Sequence, residues 1–140
     1  MKRFAFAAAV AATVDAAPVA QAETVFTWSS FIPWNHRINQ IIYVPWMEAV
    51  EKATQGRVKF RRLPKPVASP RGHLDAVRTG QADAAWSAVG YLPKRFAAYE
   101  FSSLPFLGDD AVVTSVALQR THDRFFAKKD FFKGVRLVGL

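Results

Sequence analysis

His73-Leu74-Asp75-Ala76-Val77-Arg78-Thr79-Gly80, followed at once by Gln81-Ala82-Asp83-Ala84-Ala85-Trp86-Ser87-Ala88-Val89-Gly90, is the stretch on which the fold turns. Leu74 and Val77 stand three apart, the spacing of one helix face, and Gly80 follows where a helix ends. Ala82 to Val89 is then short, small and apolar, the pattern of a strand covered on both faces. Such strands belong to parallel sheets flanked by helices. Asp83 stands where it caps or buttresses the turn into that strand.

Upstream, the same alternation recurs. Val25 to Trp28 is a β-rich run, and Ser29 to Asn35 reads as a turn. Ile38, Ile42, Trp46, Ala49, Val50 and Ala53 then recur at helical spacing. Asn35 is placed to cap this helix and Gly56 to end it at the C′ position. Pro45 inside it predicts a kink or a restart, with Pro45 in the first turn of the second part. Arg57 to Leu63 reads as a strand of imperfect alternation, closed by Pro64, Pro66 and Pro70. Downstream, Gly90 and Pro93 bracket a short helical turn, and Phe101 to Leu107 reads as extended. Asp109 to Phe126 is a helix with acid at its start and Lys128 and Lys129 at its end, both suited to the macrodipole. Val135 to Leu140 opens another strand. The order β-α-β-α with short connectors predicts an α/β fold with a mainly parallel sheet.

Composition bounds the chemistry. Hydrophobic residues make up 51% of the 140, enough for a packed core. The absence of cysteine excludes disulfides, thiolate zinc sites and cysteine nucleophiles. The net charge of +8 falls to about +7 once residues 1–22 are set aside. Its basic residues are scattered through helices, strands and loops, which predicts a solvated basic surface and no nucleic-acid partner.

Residues 1–22 read as a secretory leader. Lys2 and Arg3 precede an apolar run from Phe4 to Val14, and Ala20-Gln21-Ala22 gives the small-x-small cleavage pattern. The run is too short to span a bilayer and is interrupted by Asp15 and Pro18. No other segment approaches spanning length, so residues 23–140 are expected to be exported to the periplasm without a membrane-spanning helix.

None of the three histidines stands in a metal-binding spacing, and there is no GxSxG, P-loop or GxGxxG. No paired carboxylates suggest acid–base work, so neither catalysis nor a cofactor is expected. His73 and His122 read as surface helix residues. His36 follows the first strand, at the carboxyl edge where open α/β sheets bind ligands; it either meets a ligand or bonds locally. Trp86, Ser87, Gly90 and Tyr91 follow the third strand at the same edge. Trp86 and Tyr91 wall a small-molecule cleft there, unless Trp86 is simply a core aromatic. The candidate ligand-binding set is Asn35, His36, Trp86, Ser87 and Tyr91.

In their order, Pro45 to Val58, Asp75 to Trp86, Gly90-Tyr91 through Phe96, Leu104-Pro105-Phe106-Leu107 and Phe132 to Arg136 resemble the N-terminal lobe of TRAP-type (tripartite ATP-independent periplasmic) solute-binding proteins. The resemblance implies a periplasmic-binding-protein type II-like lobe, truncated before its second lobe. It implies capture of a small, usually carboxylate-bearing solute for delivery to a TRAP membrane permease. Pro64-Lys65-Pro66-Val67-Ala68-Ser69-Pro70 replaces the Gly/Gln-containing loop usual in that family. The arginine that commonly pairs with the ligand carboxylate there falls beyond Leu140, and Arg136 does not take its place. One lobe alone is expected to bind solute weakly or not at all and to tend to aggregate. The other readings are an enzyme on the same fold and a basic, surface-associating periplasmic protein.

Overall fold

The computed structural model describes residues 22–140, so the leader reading lies, but for Ala22, outside the described residues. Three strands form one sheet: β1 (Thr24–Ser29), β2 (Val58–Arg62) and β3 (Ala84–Ala85). They stand in the order β2-β1-β3, and both pairings are parallel. Parallel neighbours require a crossover. The first carries α1 (Val44–Ala53) and the second α2 (His73–Arg78). This is the helix-flanked parallel sheet that the alternation predicts.

The two faces of the sheet bury different chemistry. Along β1, side chains alternate. Phe26 and Trp28 take one face, their rings 6.1 and 6.0 Å from that of Phe60 on β2. Trp46 of α1 packs on the same face, 5.6 Å from Trp28 and 5.4 Å from Phe60. Trp28 is left 7% exposed. An aromatic body of this kind removes roughly 150–250 Å² from water, a gross gain of about 4–6 kcal/mol. Ser29 takes the other face, against His73 of α2.

Before α1 the chain makes a wider helical turn, Asn39–Tyr43, in which the Val44 N–H reaches back to the Asn39 carbonyl. Pro45 then falls in the first turn of α1, where its missing N–H removes no hydrogen bond, so the helix restarts there as predicted. The capping contact comes from His36 and not from Asn35: its Nδ1 accepts the Ile38 N–H at 3.2 Å. At the other end, Gly56 N–H bonds to the Glu51 carbonyl at 2.9 Å and Gln55 N–H to that of Lys52 at 3.1 Å. That pattern makes Gln55, at φ 54°, the C′ residue and moves Gly56 one place further than expected. Gly80, at φ 76°, takes the C′ place after α2.

The third strand is only Ala84–Ala85 and not the whole of Ala82–Val89. Asp83 explains where it starts. Its carboxylate accepts from the Thr27 N–H at 2.8 Å and the Thr27 hydroxyl at 2.6 Å, so a side chain occupies what would be the previous rung of the ladder. These bonds, with Arg61 nearby, hold its carboxyl below the usual range. It buttresses the strand, as its position predicts.

Beyond β3 come 3₁₀ turns at Val89–Tyr91 and Ala97–Ser103 around α3 (Pro93–Phe96). Phe101–Leu107 is therefore not extended: its first residues finish the second of these coils, whose Tyr99 is pulled fully inside. Then α4 (Ala111–Thr121) starts from Asp110, whose carboxylate accepts the Val112 and Val113 N–H groups at 2.7 and 2.9 Å. It runs on into a wider turn, His122–Phe126. Val135–Leu140 forms no strand among the described residues. The two-residue β3 offers it no ladder, and the Leu140 N–H bonds to Gln119 Oε1 on α4 at 2.9 Å.

Both histidines read as surface residues are buried. The Tyr99 hydroxyl and His122 Nδ1 share a hydrogen bond of 2.6 Å, within a second aromatic cluster that includes Phe96, Phe126 and Phe131. His73 is held under the sheet. His73 has a partner for each ring nitrogen and His122 has one on Nδ1, and helical periodicity does not reveal those partners.

Candidate functional site

All three strands run parallel, so their carboxyl ends share one edge. Ser30 and Phe31 follow β1 there, Leu63 follows β2, and Trp86 follows β3. The order of the sheet sets β1 and β3 side by side, which gathers the aromatics. The Phe31 ring lies 4.2 Å from Trp86 and 5.6 Å from Tyr91. Tyr43 stacks on Trp86 at 5.2 Å and 25°. Trp86 is half-buried and its Nε1–H points to Ser30 Oγ at 3.3 Å, while Tyr91 stays 39% exposed. Burial pushes the Tyr43 hydroxyl up to about 12, so it is a neutral donor at physiological pH.

The turn after β1 is held from below. Asn39, fully buried, donates to Ser30 Oγ at 3.0 Å and to the Pro33 carbonyl at 3.0 Å. Trp34 donates its Nε1–H to the Leu63 carbonyl at 2.6 Å, tying the ends of β1 and β2 together. Asn35 and His36 are exposed on the same turn. With Nδ1 of His36 engaged as an acceptor, its neutral ring carries the proton on Nε2, a donor free of that local bond.

The structure thus joins Trp86 and Tyr91 around Phe31. His36 and Asn35 stand on the Trp34 side of the loop. Ser87, also exposed, turns its hydroxyl to the Pro70 carbonyl at 3.4 Å. Phe31, Trp34 and Tyr43 escape a sequence reading, because nothing in their spacing distinguishes an edge aromatic from a core one.

Ser29 and His73 have the connectivity of a nucleophile and its base. The Ser69 carbonyl can only accept, so His73 Nδ1 donates to it at 2.9 Å, and Nε2 accepts from Ser29 Oγ at 3.0 Å. Both residues are 0% exposed, and the serine oxygen also accepts the Val67 N–H at 3.1 Å. No substrate reaches an oxygen so enclosed. The pair pins the Pro64–Pro70 loop against the end of β1. Among the described residues no three His, Asp or Glu side chains are grouped to hold a metal, and no helix is long and apolar enough to cross a membrane. Open apolar concavities run along α4, past Val112, Val113 and Val116, away from this edge.

The comparisons agree with this architecture. Residues 30–138 match the model of the bacterial extracellular solute-binding protein, family 7. A TRAP periplasmic solute-binding protein from Bordetella bronchiseptica, solved with bound (R)-mandelate and (S)-mandelate, is 43% identical. It superposes with a TM-score of 0.79 over 83% of this chain and 37% of that one. A marine metagenome TRAP solute-binding protein specific for aromatic acid ligands, solved with 3-hydroxybenzoate, is 31% identical. Its TM-score is 0.74, over 84% of this chain and 37% of that one. The "Outer membrane transporter protein TsaT" of Comamonas testosteroni is 33% identical over 133 residues, which are 95% of this chain and 39% of that protein. The chain thus spans less than two fifths of the length of these relatives. With the family model matched from the end of β1 nearly to the last residue, this chain belongs to the bacterial extracellular solute-binding proteins of family 7, the TRAP type.

Proposed function

We propose that this chain forms one wall of a cleft that captures a small aromatic carboxylate in the periplasm and delivers it to a TRAP membrane permease. The observation that carries the reading is the aromatic wall of Phe31, Trp86 and Tyr91 at the carboxyl edge of a parallel sheet. Similar proteins hold mandelate and 3-hydroxybenzoate, each an aromatic ring with a carboxylate on it or one carbon away. Tyr91 offers its exposed ring to the solute, Trp86 backs Phe31, and His36, Asn35 and Ser87 rim the wall with polar groups. The Ser29–His73 pair is enclosed and takes no part in this scheme.

A ligand usually needs about 70–90% of its surface covered for useful affinity. One wall covers less, so these 140 residues alone bind weakly, with a dissociation constant of about 1 mM or above. Titration of the chain with benzoate and mandelate, followed by ligand-observed NMR, tests this. Saturable binding in that range, lost in Tyr91→Ala, is the expected result. No binding at tens of millimolar overturns the solute reading, and micromolar affinity overturns the single-wall account.

A further inference from the structure

Arg62 is the last residue of β2 and lies at the same carboxyl edge, in register with Trp28. Its guanidinium carbon sits over the Trp34 ring, 5.6 Å from the centroid. That ring is itself fixed, by its bond to the Leu63 carbonyl at 2.6 Å. The Trp34 carbonyl is fixed as well, by Gln40 Nε2 at 2.6 Å. The arginine therefore lies across the ends of two strands, over a platform that does not neutralise it.

Among the described residues its charge meets no carboxylate. Among the described residues, the ion pairs go to Lys59 with Glu23, Arg78 with Asp75, and Lys133 with Asp130. Arg61, its neighbour, lies close enough to Asp83 to help hold that carboxyl low. A guanidinium lying over an aromatic face spends none of its N–H donors on that contact, and they form the fork that fits a carboxylate. Sheet order adds the spacing. Neighbouring strands lie about 4.8 Å apart, so the ends of β2 and β3 are separated by roughly 10 Å across β1. Charge stands at the β2 end of that span and apolar rings at the β3 end.

From this juxtaposition we infer that Arg62, lying over Trp34, is the group of this lobe that binds the solute's carboxylate, with the solute's ring pointing toward Phe31 and Tyr91. The inference rests on the solute-binding reading above and adds a residue and a direction of binding to it.

The test compares benzoate binding by the unmodified chain, Arg62→Met, Arg62→Lys and Arg57→Met, the last at the amino end of β2, where the arginine Nε bonds to the Thr54 carbonyl. Arg62 and Arg57 are both exposed, and thermal melting checks that each variant is folded. Arg62→Met is expected to weaken benzoate by about tenfold or more, Arg62→Lys by less, and Arg57→Met hardly at all. In ¹⁵N spectra, benzoate should move the Arg62 Nε–H signal and leave that of Arg57 in place. If the unmodified chain binds benzoate and Arg62→Met binds it equally well, the inference fails while the solute reading stands. If Arg57→Met weakens binding as much, the effect is general basicity and the inference also fails. If the unmodified chain binds no aromatic acid, the solute reading fails and takes the inference with it.

Discussion

Replacing Ser29 with alanine removes one oxygen and strands two polar groups. The hydroxyl donates to His73 Nε2 at 3.0 Å and accepts the Val67 N–H at 3.1 Å. A buried polar group left without a partner costs about 1–3 kcal/mol. His73 is 0% exposed, so its nitrogen bears that cost in full, whereas the half-buried Val67 recovers part of its loss from solvent. We expect Ser29→Ala to destabilise by roughly 2–3 kcal/mol, a large share of the 5–15 kcal/mol typical of a folded domain. Urea unfolding followed by tryptophan fluorescence is a suitable assay, because Trp28, Trp34, Trp46 and Trp86 all lie in the half of the molecule that this pair supports. His73→Ala breaks the same bond. The double variant should therefore fall short of the sum of the singles by about 1 kcal/mol or more. Full additivity, or a cost below about 0.5 kcal/mol for either single variant, would refute the claim that the pair anchors this edge.

Three further outcomes follow from the same structure. Gln55→Gly should stabilise by about 0.5–1 kcal/mol, because the C′ position at φ 54° strains a side chain and suits glycine; a lowered thermal midpoint would contradict this. Tyr99→Phe should cost about 1–3 kcal/mol in urea unfolding, since it leaves the enclosed His122 Nδ1 without its 2.6 Å partner; an unchanged midpoint would show that the bond is dispensable. Tyr43 keeps its proton up to about 12 when folded, while an unfolded tyrosine ionises near about 10. Between those values only the folded state holds the proton, so stability is intact below the lower one and declines as pH rises toward the upper. The decline should be shallower in Tyr43→Phe, and an identical alkaline slope in both proteins would remove Tyr43 as its source.

The sequence alone determined the layers and their order. Apolar spacing at Leu74 and Val77, Gly80 after them and the small apolar run from Ala82 to Val89 require only local physics for a helix, a left-handed stop and a strand, of which the structure keeps Ala84–Ala85 as strand. For the same reason Pro45 announced its restart, acting within a few residues of itself. Pairing across the sheet is a different matter. The length of β3 depends on Asp83 reaching Thr27, 56 residues away, and the strand-like Val135–Leu140 finds no ladder to join. His73 and His122 looked like surface residues because what buries them, Ser29 and Tyr99, lies 44 and 23 residues away in sequence. The site divides along the same line. Trp86 and Tyr91 were visible as strand-end aromatics, but their assembly around Phe31, and the seating of Arg62 on Trp34, depend on which strands the fold sets side by side. Hydrophobic pattern is written in neighbours a few residues apart, whereas a ligand wall is made of residues that only the order β2-β1-β3 brings to one edge.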